Sequence, residues 1–195
     1  MHFIDNHSHT TLEVKKSKFI THIFPYKDFD EVMKKLKNDH PKARHHVYAY
    51  RYLNEFDQIV ENCSDDGEPK NTSGKPSLAV LAGKELINTA IITVRYFGGI
   101  KLGTGGLVKS YGDAVNLAIS EANLIKYEKE FLKSLCVDYD ILGQIEFILN
   151  NLEIKIVNKE FNANITLHLK ASEEKLQNLE KKLLEKNYLI PLMDI

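Results

Sequence analysis

Arg95-Tyr96-Phe97-Gly98-Gly99-Ile100-Lys101-Leu102-Gly103-Thr104-Gly105-Gly106-Leu107-Val108-Lys109-Ser110-Tyr111-Gly112 holds six of the chain's ten glycines. Glycine loses more entropy on folding than any other residue. Such a density therefore belongs where the backbone takes positive φ or where another group comes very close. Upstream, Ile91-Ile92-Thr93-Val94-Arg95-Tyr96-Phe97 reads as a buried, β-branched strand. Downstream, Leu107, Val108, Tyr111, Val115, Ala118, Ile119 and Ala122 recur at helical spacing. The spacing predicts a strand, a glycine-rich turn and then a helix.

A helix N-terminus presents unpaired N–H groups and partial positive charge, so this turn is a candidate anion site. Arg95, Lys101 and Lys109 would add cationic side chains. The common nucleotide motifs do not fit. GxxxxGK[ST] and GxGxxG read from Gly103 both require glycine at 108, where the chain has Val108. Hydrolysis of nucleoside triphosphates and dinucleotide binding are thereby excluded for this motif. The competing explanation is that the glycines only allow a helix and a sheet to pack closely.

The segment GKELINTAIITVRYFGGIKLG (83–103), with TGGLVKSYGDAV after it, resembles the signature of the IMPACT family and its bacterial YigZ-like members. Lys16-Ser17-Lys18-Phe19-Ile20 agrees, as do Ser64-Asp65-Asp66-Gly67-Glu68-Pro69 and Ser73-Gly74-Lys75-Pro76. The likeness covers about residues 1 to 125 and extends more loosely to the rest. Lys70 and Asn71 stand where the family has smaller residues, and Val47 stands at a frequent cysteine, so a mechanism requiring that cysteine is excluded.

With 195 residues, 43% of them hydrophobic and 27% charged, the chain suits a globular protein of one large or two small domains. No apolar run approaches the ~20 residues of a membrane span. The start MHFIDNHSHTTLEVKK lacks the apolar core of a signal peptide, so the cytoplasm is the expected compartment and no membrane partner is expected. Cys63 and Cys136 are the only cysteines, too few for a disulfide framework or a zinc ribbon. Cys63 precedes acidic residues that disfavour a thiolate. The net charge of −1 hides an asymmetry: residues 1–126 hold a slight basic excess and all histidines but one, whereas 127–195 are acidic. The basic excess is far below that of a dedicated DNA binder, so no DNA specificity is expected.

Residues 13 to 24 read as one strand. Phe29, Val32, Met33 and Leu36 mark an amphipathic helix, followed by strands near 45–53 and 58–64, an apolar segment after Pro76 and a strand at 88–96. The expectation is an α+β domain over 1–126, its sheet covered by helices on one side. After a polar connection at Lys126-Tyr127-Glu128-Lys129, residues 127–195 spell β-α-β-β-α-β: strands at 131–138, 154–160, 164–170 and 188–193, helices at 142–151 and 173–186. That order is ferredoxin-like. Ser172 is placed to cap the last helix, with Leu176, Leu179 and Leu183 on its inner face. The resemblance implies a matching pair: an N-terminal domain similar to the ribosomal-protein and elongation factor G domain IV fold, and a C-terminal domain similar to elongation factor G domain V. Fold alone does not fix function.

Asp65, Asp66 and Glu68 form a possible secondary site in a Gly/Pro loop. They can bind a cation or act as acid and base, but such loops are more commonly solvated turns. Asp5, His7 and His9 share one strand face and His45 and His46 lie elsewhere, but terminal histidines are usually solvated and the three-ligand set lacks the acidic base of a hydrolytic zinc motif, so no metal is expected. Tyr48, Tyr50 and Tyr52 alternate on one strand face near Arg44 and Arg51. That pattern makes a stacking platform for unpaired bases or a half-buried sheet face.

The expected function is an RNA- or ribosome-associated protein with a role in translation regulation. Phosphate would be held by Arg95, Lys101, Lys109 and the turn Gly103, Thr104, Gly105 and Gly106, with Arg51 and Tyr50 assisting. The alternative is an enzyme acting on a small phosphorylated or peptide substrate through Asp65, Asp66 or Glu68. No nucleophile, base and orienting group stand out, so no catalytic residue and no cofactor are assigned. The family's eukaryotic members carry an additional N-terminal module for a translation-stress regulator. No such segment precedes the match, and that partner is not expected.

Overall fold

Strand β6 (Thr89–Tyr96) is buried along nearly its whole length, and its alternate side chains feed two different cores. Ile91 packs with Ile23, Ala49, Leu81 and Val115. Ala90, Ile92 and Val94 pack with Phe24, Val32 and Leu36. A strand that is apolar on both sides must be central and covered on both faces. In a computed structural model that describes residues 1–194, it is the middle strand of a five-stranded antiparallel sheet. The order is β2 (Ser8–Val14), β3 (Ser17–Pro25), β6, β4 (His45–Leu53), β5 (Ile59–Ser64). Helices α2 (Gly74–Gly83) and α3 (Gly103–Ser120) cover one face, and α1 (Phe29–Asp39) covers the other. The expectation of helices on one side is therefore corrected. A strand apolar on both faces requires a second layer, which α1 supplies through Val32 and Leu36.

The region 13 to 24 is not one strand but two. Val14 pairs with Ser17 across a two-residue turn in which Lys15 and Lys16 have φ of 46° and 64°. Consecutive positive φ values make a hairpin turn whose twist matches that of the strands, a geometry ordinarily signalled by Asn-Gly. Two lysines carry no such signal. The short pair β1 (His2–Phe3) and β7 (Ile125–Lys126) joins the beginning and end of this unit, Met1–Tyr127.

The second unit, Glu128–Ile195, runs β8 (Glu130–Val137), α4 (Leu142–Asn151), β9 (Lys155–Phe161), β10 (Ile165–Ser172), α5 (Glu173–Glu185) and β11 (Met193–Asp194). Its sheet order, β11-β8-β10-β9, puts the two helices on one face over Leu135, Leu167 and Leu169. Leu176, Leu179 and Leu183 form the buried face of α5. Ser172 occupies the N-cap position with extended φ and ψ, but its hydroxyl makes no capping bond and is buried without a partner. The expected cap is thus absent, and the first turn relies on Glu173 and Glu174 against the helix dipole.

On the α1 side of the sheet, His22 is 9% exposed, and its Nδ1 lies 3.0 Å from His7 Nε2. The His9 ring stacks on it at 5.1 Å. Burial first, and then the neighbouring His7, His9, His40 and Lys35, lower the His22 pKa to about 3 from its ordinary 6.5. A folded-state pKa below the unfolded value means that protonation opposes folding. The associated stability is present above pH 6.5 and is lost as pH falls from there towards 3. One proton taken up on unfolding corresponds to a slope of about 1.4 kcal/mol per pH unit. Denaturant unfolding between pH 7 and pH 4 will show an acid slope that is shallower by roughly one proton in His22→Gln.

Candidate functional site

The chain folds the acidic loop against the glycine turn through one buried carboxylate. Glu68 is 9% exposed, and its Oε1 accepts from Arg95 Nη1 at 2.5 Å and from Tyr111 Oη at 2.9 Å. Arg95 ends the central strand, Tyr111 lies in α3, and Glu68 belongs to the loop between β5 and α2. Burial, and then the adjacent Glu68 carboxylate, push the Tyr111 hydroxyl far above the ordinary phenol range, so it stays a donor. Arg95 is itself 7% exposed, with Nε buried and unpartnered. The arginine expected to grip phosphate is therefore committed to Glu68.

Asp65 and Asp66 shape the same loop. Asp65 Oδ1 accepts from the Ser73 and Gly74 N–H groups and from Ser73 Oγ, at 2.7 to 3.0 Å, and Oδ2 accepts from Asn71 N–H. Burial opposes ionisation of Asp65, but these bonds outweigh it and hold its carboxyl below the usual range. Asp65 thereby serves the start of α2 in place of a local N-cap side chain. Asp66 accepts from His46 N–H, and its carbonyl accepts from His45 Nδ1 at 2.8 Å. Both aspartates are occupied by protein donors, and among the described residues no three His, Cys, Asp or Glu side chains gather as a metal cage. Burial, then Asp65, raises the Cys63 thiol pKa, which disfavours the reactive thiolate.

A cleft of about 790 Å³ opens over this network, within the usual size range of ligand sites. Its wall includes His45, Glu68, Pro69, Arg95, Tyr96, Leu102 and Leu107. Its rim carries Lys42, Arg44 and Lys101, together with Phe97, which is 57% exposed, and the start of α3 at Gly103 and Thr104. Leu102 is the N-cap of that helix, so the first unpaired N–H groups are those of residues 102–105, and Gly106 is the first residue able to bond back into the helix.

The expected site residues are divided accordingly. Arg95, Lys101, Gly103 and Thr104 come together, and Glu68 joins them. Gly105 lies in the first helical turn, with open space where a side chain would be. Lys109 lies six residues, ~9 Å, further along α3 and is not in the cleft wall. Tyr50 and Arg51 lie towards the other end of the sheet: Arg51 pairs with Thr89, about 20 Å along β6 from Arg95. Arg51 bonds Glu61 and the Leu86 carbonyl. The Tyr50 ring packs with Tyr26 and Phe29 on the α1 side. The tyrosine ladder is thus a half-buried sheet face, and the accessible aromatic beside the cations is Phe97. Lys42 entered only through folding, while Arg44 and His45, noted in sequence beside the tyrosines and as a histidine pair, are placed at the cleft only by the fold.

Two glycines are required by close approach. A Cβ on Gly98 would stand 2.0 Å from the Lys16 carbonyl carbon in the β2–β3 turn, and a Cβ on Gly74 would stand 2.8 Å from the Ser64 backbone. Gly98 N–H also donates to Ser17 Oγ at 3.1 Å.

Residues 15–119 match the family described as the Impact N-terminal domain, and residues 135–186 match a domain of unknown function (DUF1949). The chain belongs to the IMPACT family. It is 39% identical over 179 residues to an IMPACT family member of Haemophilus influenzae, covering 90% of this chain and 86% of that one. It is 37% identical over 175 residues to the IMPACT family member YigZ of Escherichia coli, covering 88% and 85%. A solved structure titled as that of a hypothetical protein superimposes with a TM-score of 0.69 at 32% identity, covering 100% of this chain and 96% of the other. The likeness to Protein IMPACT of Xenopus laevis is confined to 62 residues, at 36% identity and 19% of that protein. The three sequence blocks that carry the family likeness meet in space: Lys16-Ser17 against Gly98, Ser64 against Gly74, and Glu68 on Arg95.

Two stability outcomes follow. Glu68→Ala leaves Arg95 charged and buried without its partner and will cost about 3–5 kcal/mol in denaturant unfolding. Gly98→Ala will strongly lower the melting temperature, whereas Gly105→Ala will hold or raise stability by up to about 1 kcal/mol, because alanine is the better helix former in open space.

Proposed function

We infer that the chain is an RNA-binding protein that takes one or two unpaired nucleotides in the cleft of its first unit. The observation that carries this reading is the juxtaposition of three cations, the free N–H groups of α3 and the exposed Phe97 around a single concave site. Cations and helix N–H groups suit phosphate, and an exposed ring beside them suits a base. Lys42, Arg44 and Lys101 have no ion-pair partner among the described residues, unlike Arg95. At about 790 Å³ the cleft suits a splayed nucleotide rather than a duplex. Ribosomal RNA, a role in translation regulation and a cytoplasmic location are the setting this reading favours. No helix among the described residues is long and apolar enough to cross a membrane.

The second reading, an enzyme acting on a small phosphorylated or peptide substrate, draws support from His45. Its Nδ1–H is fixed by the Asp66 carbonyl, while its Nε2 lies 3.9 Å from Glu68 Oε1 in the cleft wall. That arrangement suits an acid–base histidine, whereas Asp65, Asp66 and Glu68 are all engaged by protein donors.

Filter binding of a short single-stranded RNA at graded salt separates these readings. Binding will weaken with salt, and Lys42→Ala, Arg44→Ala and Lys101→Ala will each reduce the log–log slope by about 0.7, while Lys109→Ala leaves it unchanged. Absence of binding at low salt, or binding insensitive to salt, removes the RNA reading.

A further inference from the structure

Three imidazoles meet on the sheet face that α1 covers. Ile20, His22 and Phe24 alternate along β3, and Ile20 and Phe24 pack with Val32 and Leu36 of the helix, so His22 stands between them on the helix side. From the neighbouring strand, His9 pairs with His22 across the ladder and stacks on its ring, and His7 Nε2 lies 3.0 Å from His22 Nδ1. His22 Nε2 is buried without a hydrogen-bond partner among the described residues. Cations surround the ring: α1 contributes Lys35, with His40 at its C-terminal end, while Asp28, just before the helix, faces His7 with the opposite charge. Strand β6 places the uncharged Ile92 opposite His22. A proton added to this cluster enters a dry site already lined with cations. It therefore favours any rearrangement that admits water and moves Lys35 and His40 away.

The element least held in place is α1. It fully buries only Val32 and Leu36, whereas α3 buries seven residues and β2 is tied to β3 by a continuous ladder from Ser8 to Val14. Elements with few buried contacts open at the lowest free energy. The end of α1 runs directly into the cleft: His40 is its C-cap, His40 Nδ1 lies 2.9 Å from Tyr96 Oη in the cleft wall, and the turn that follows carries Lys42 and Arg44. We propose that α1 and residues 40–44 form an acid-released strap, in which protonation of the His7, His9 and His22 cluster detaches the helix from the sheet and carries Lys42 and Arg44 away from the cleft rim. Histidine clusters switch structures in this way when a change of charge biases an element with two positions. The strap operates whatever ligand the cleft takes, and it differs from general acid unfolding because one helix leaves while the sheet stays.

The test is amide hydrogen exchange, read by mass spectrometry on the full chain at pH 7.5 and pH 5 and corrected for the chemical pH dependence of exchange. Protection across residues 29–44 will fall at pH 5 by up to about thirtyfold, while β6 and α3 keep theirs. That ratio is the one expected when an imidazole held near 3 under the docked helix titrates near its ordinary 6.5 once the helix is released. His22→Gln, checked for an unchanged melting temperature at pH 7.5, will remove the fall, and His168→Gln in the second unit will leave it intact. His9→Gln, at an exposed position, will reduce the fall and serves as the variant if His22→Gln does not fold. Equal loss of protection in α1, β6 and α3 at pH 5 overturns the strap in favour of general unfolding, and loss confined to residues 7–14 overturns it in favour of fraying of β2. Protection of 29–44 that does not change with pH, or a fall that persists undiminished in the His22→Gln or His9→Gln variant, overturns it as well.

Discussion

The Glu68 carboxylate is the point on which the first unit turns. Three elements far apart in the chain converge on one oxygen atom: the loop that carries it, the end of the central strand through Arg95, and the first half of α3 through Tyr111. A buried ion pair is costly to desolvate and is tolerated when further hydrogen bonds satisfy it, as Tyr111 does here. Its consequence is positional. With Arg95 held, the acidic loop lies beside the start of α3, and a cleft forms between groups that the sequence keeps more than fifty residues apart, from Lys42 to Leu107.

The glycine-rich segment serves two purposes that its composition mixes together. Gly98 is a packing device: it lets the strand end lie directly on the β2–β3 turn, where no side chain fits. Gly103, with φ of 73°, opens α3 where Gly103 and Thr104 line the cleft. Gly105 is constrained by neither. Close approach and positive φ thus fall to different glycines of one motif.

Charge is distributed in the same divided way. The expected phosphate-binding arginine and the expected catalytic carboxylates neutralise or cap one another inside the protein, and the cations left facing outward are Lys42, Arg44 and Lys101. Around them the cleft combines a cationic rim with acceptor groups in its wall.

Local pattern was enough for much of the architecture. The β-branched run before the glycines, the helical spacing after them and the β-α-β-β-α elements from Glu130 to Glu185 correspond to observed elements, because period and propensity act over a few residues. The last strand, expected at 188–193, is only the two-residue Met193–Asp194. The Lys15-Lys16 turn was hidden because its positive φ values are imposed by strand pairing and not by turn residues. The Ser172 hydroxyl failed as a cap although the position was right. Tyr50 and Arg51 had the composition of a binding face, but the sheet carried them to its other end and packed α1 and Tyr26 around the ring. Which carboxylate is buried, which arginine is neutralised and which aromatic is exposed depend on strand order and on the sheet face each helix covers. Those are contacts between distant segments, and a single sequence records their residue types without recording their pairing. The central strand, the principal helices and the glycine turn were therefore legible in the sequence alone, and the β2–β3 turn and the membership of the cleft were decided only by contacts between distant segments.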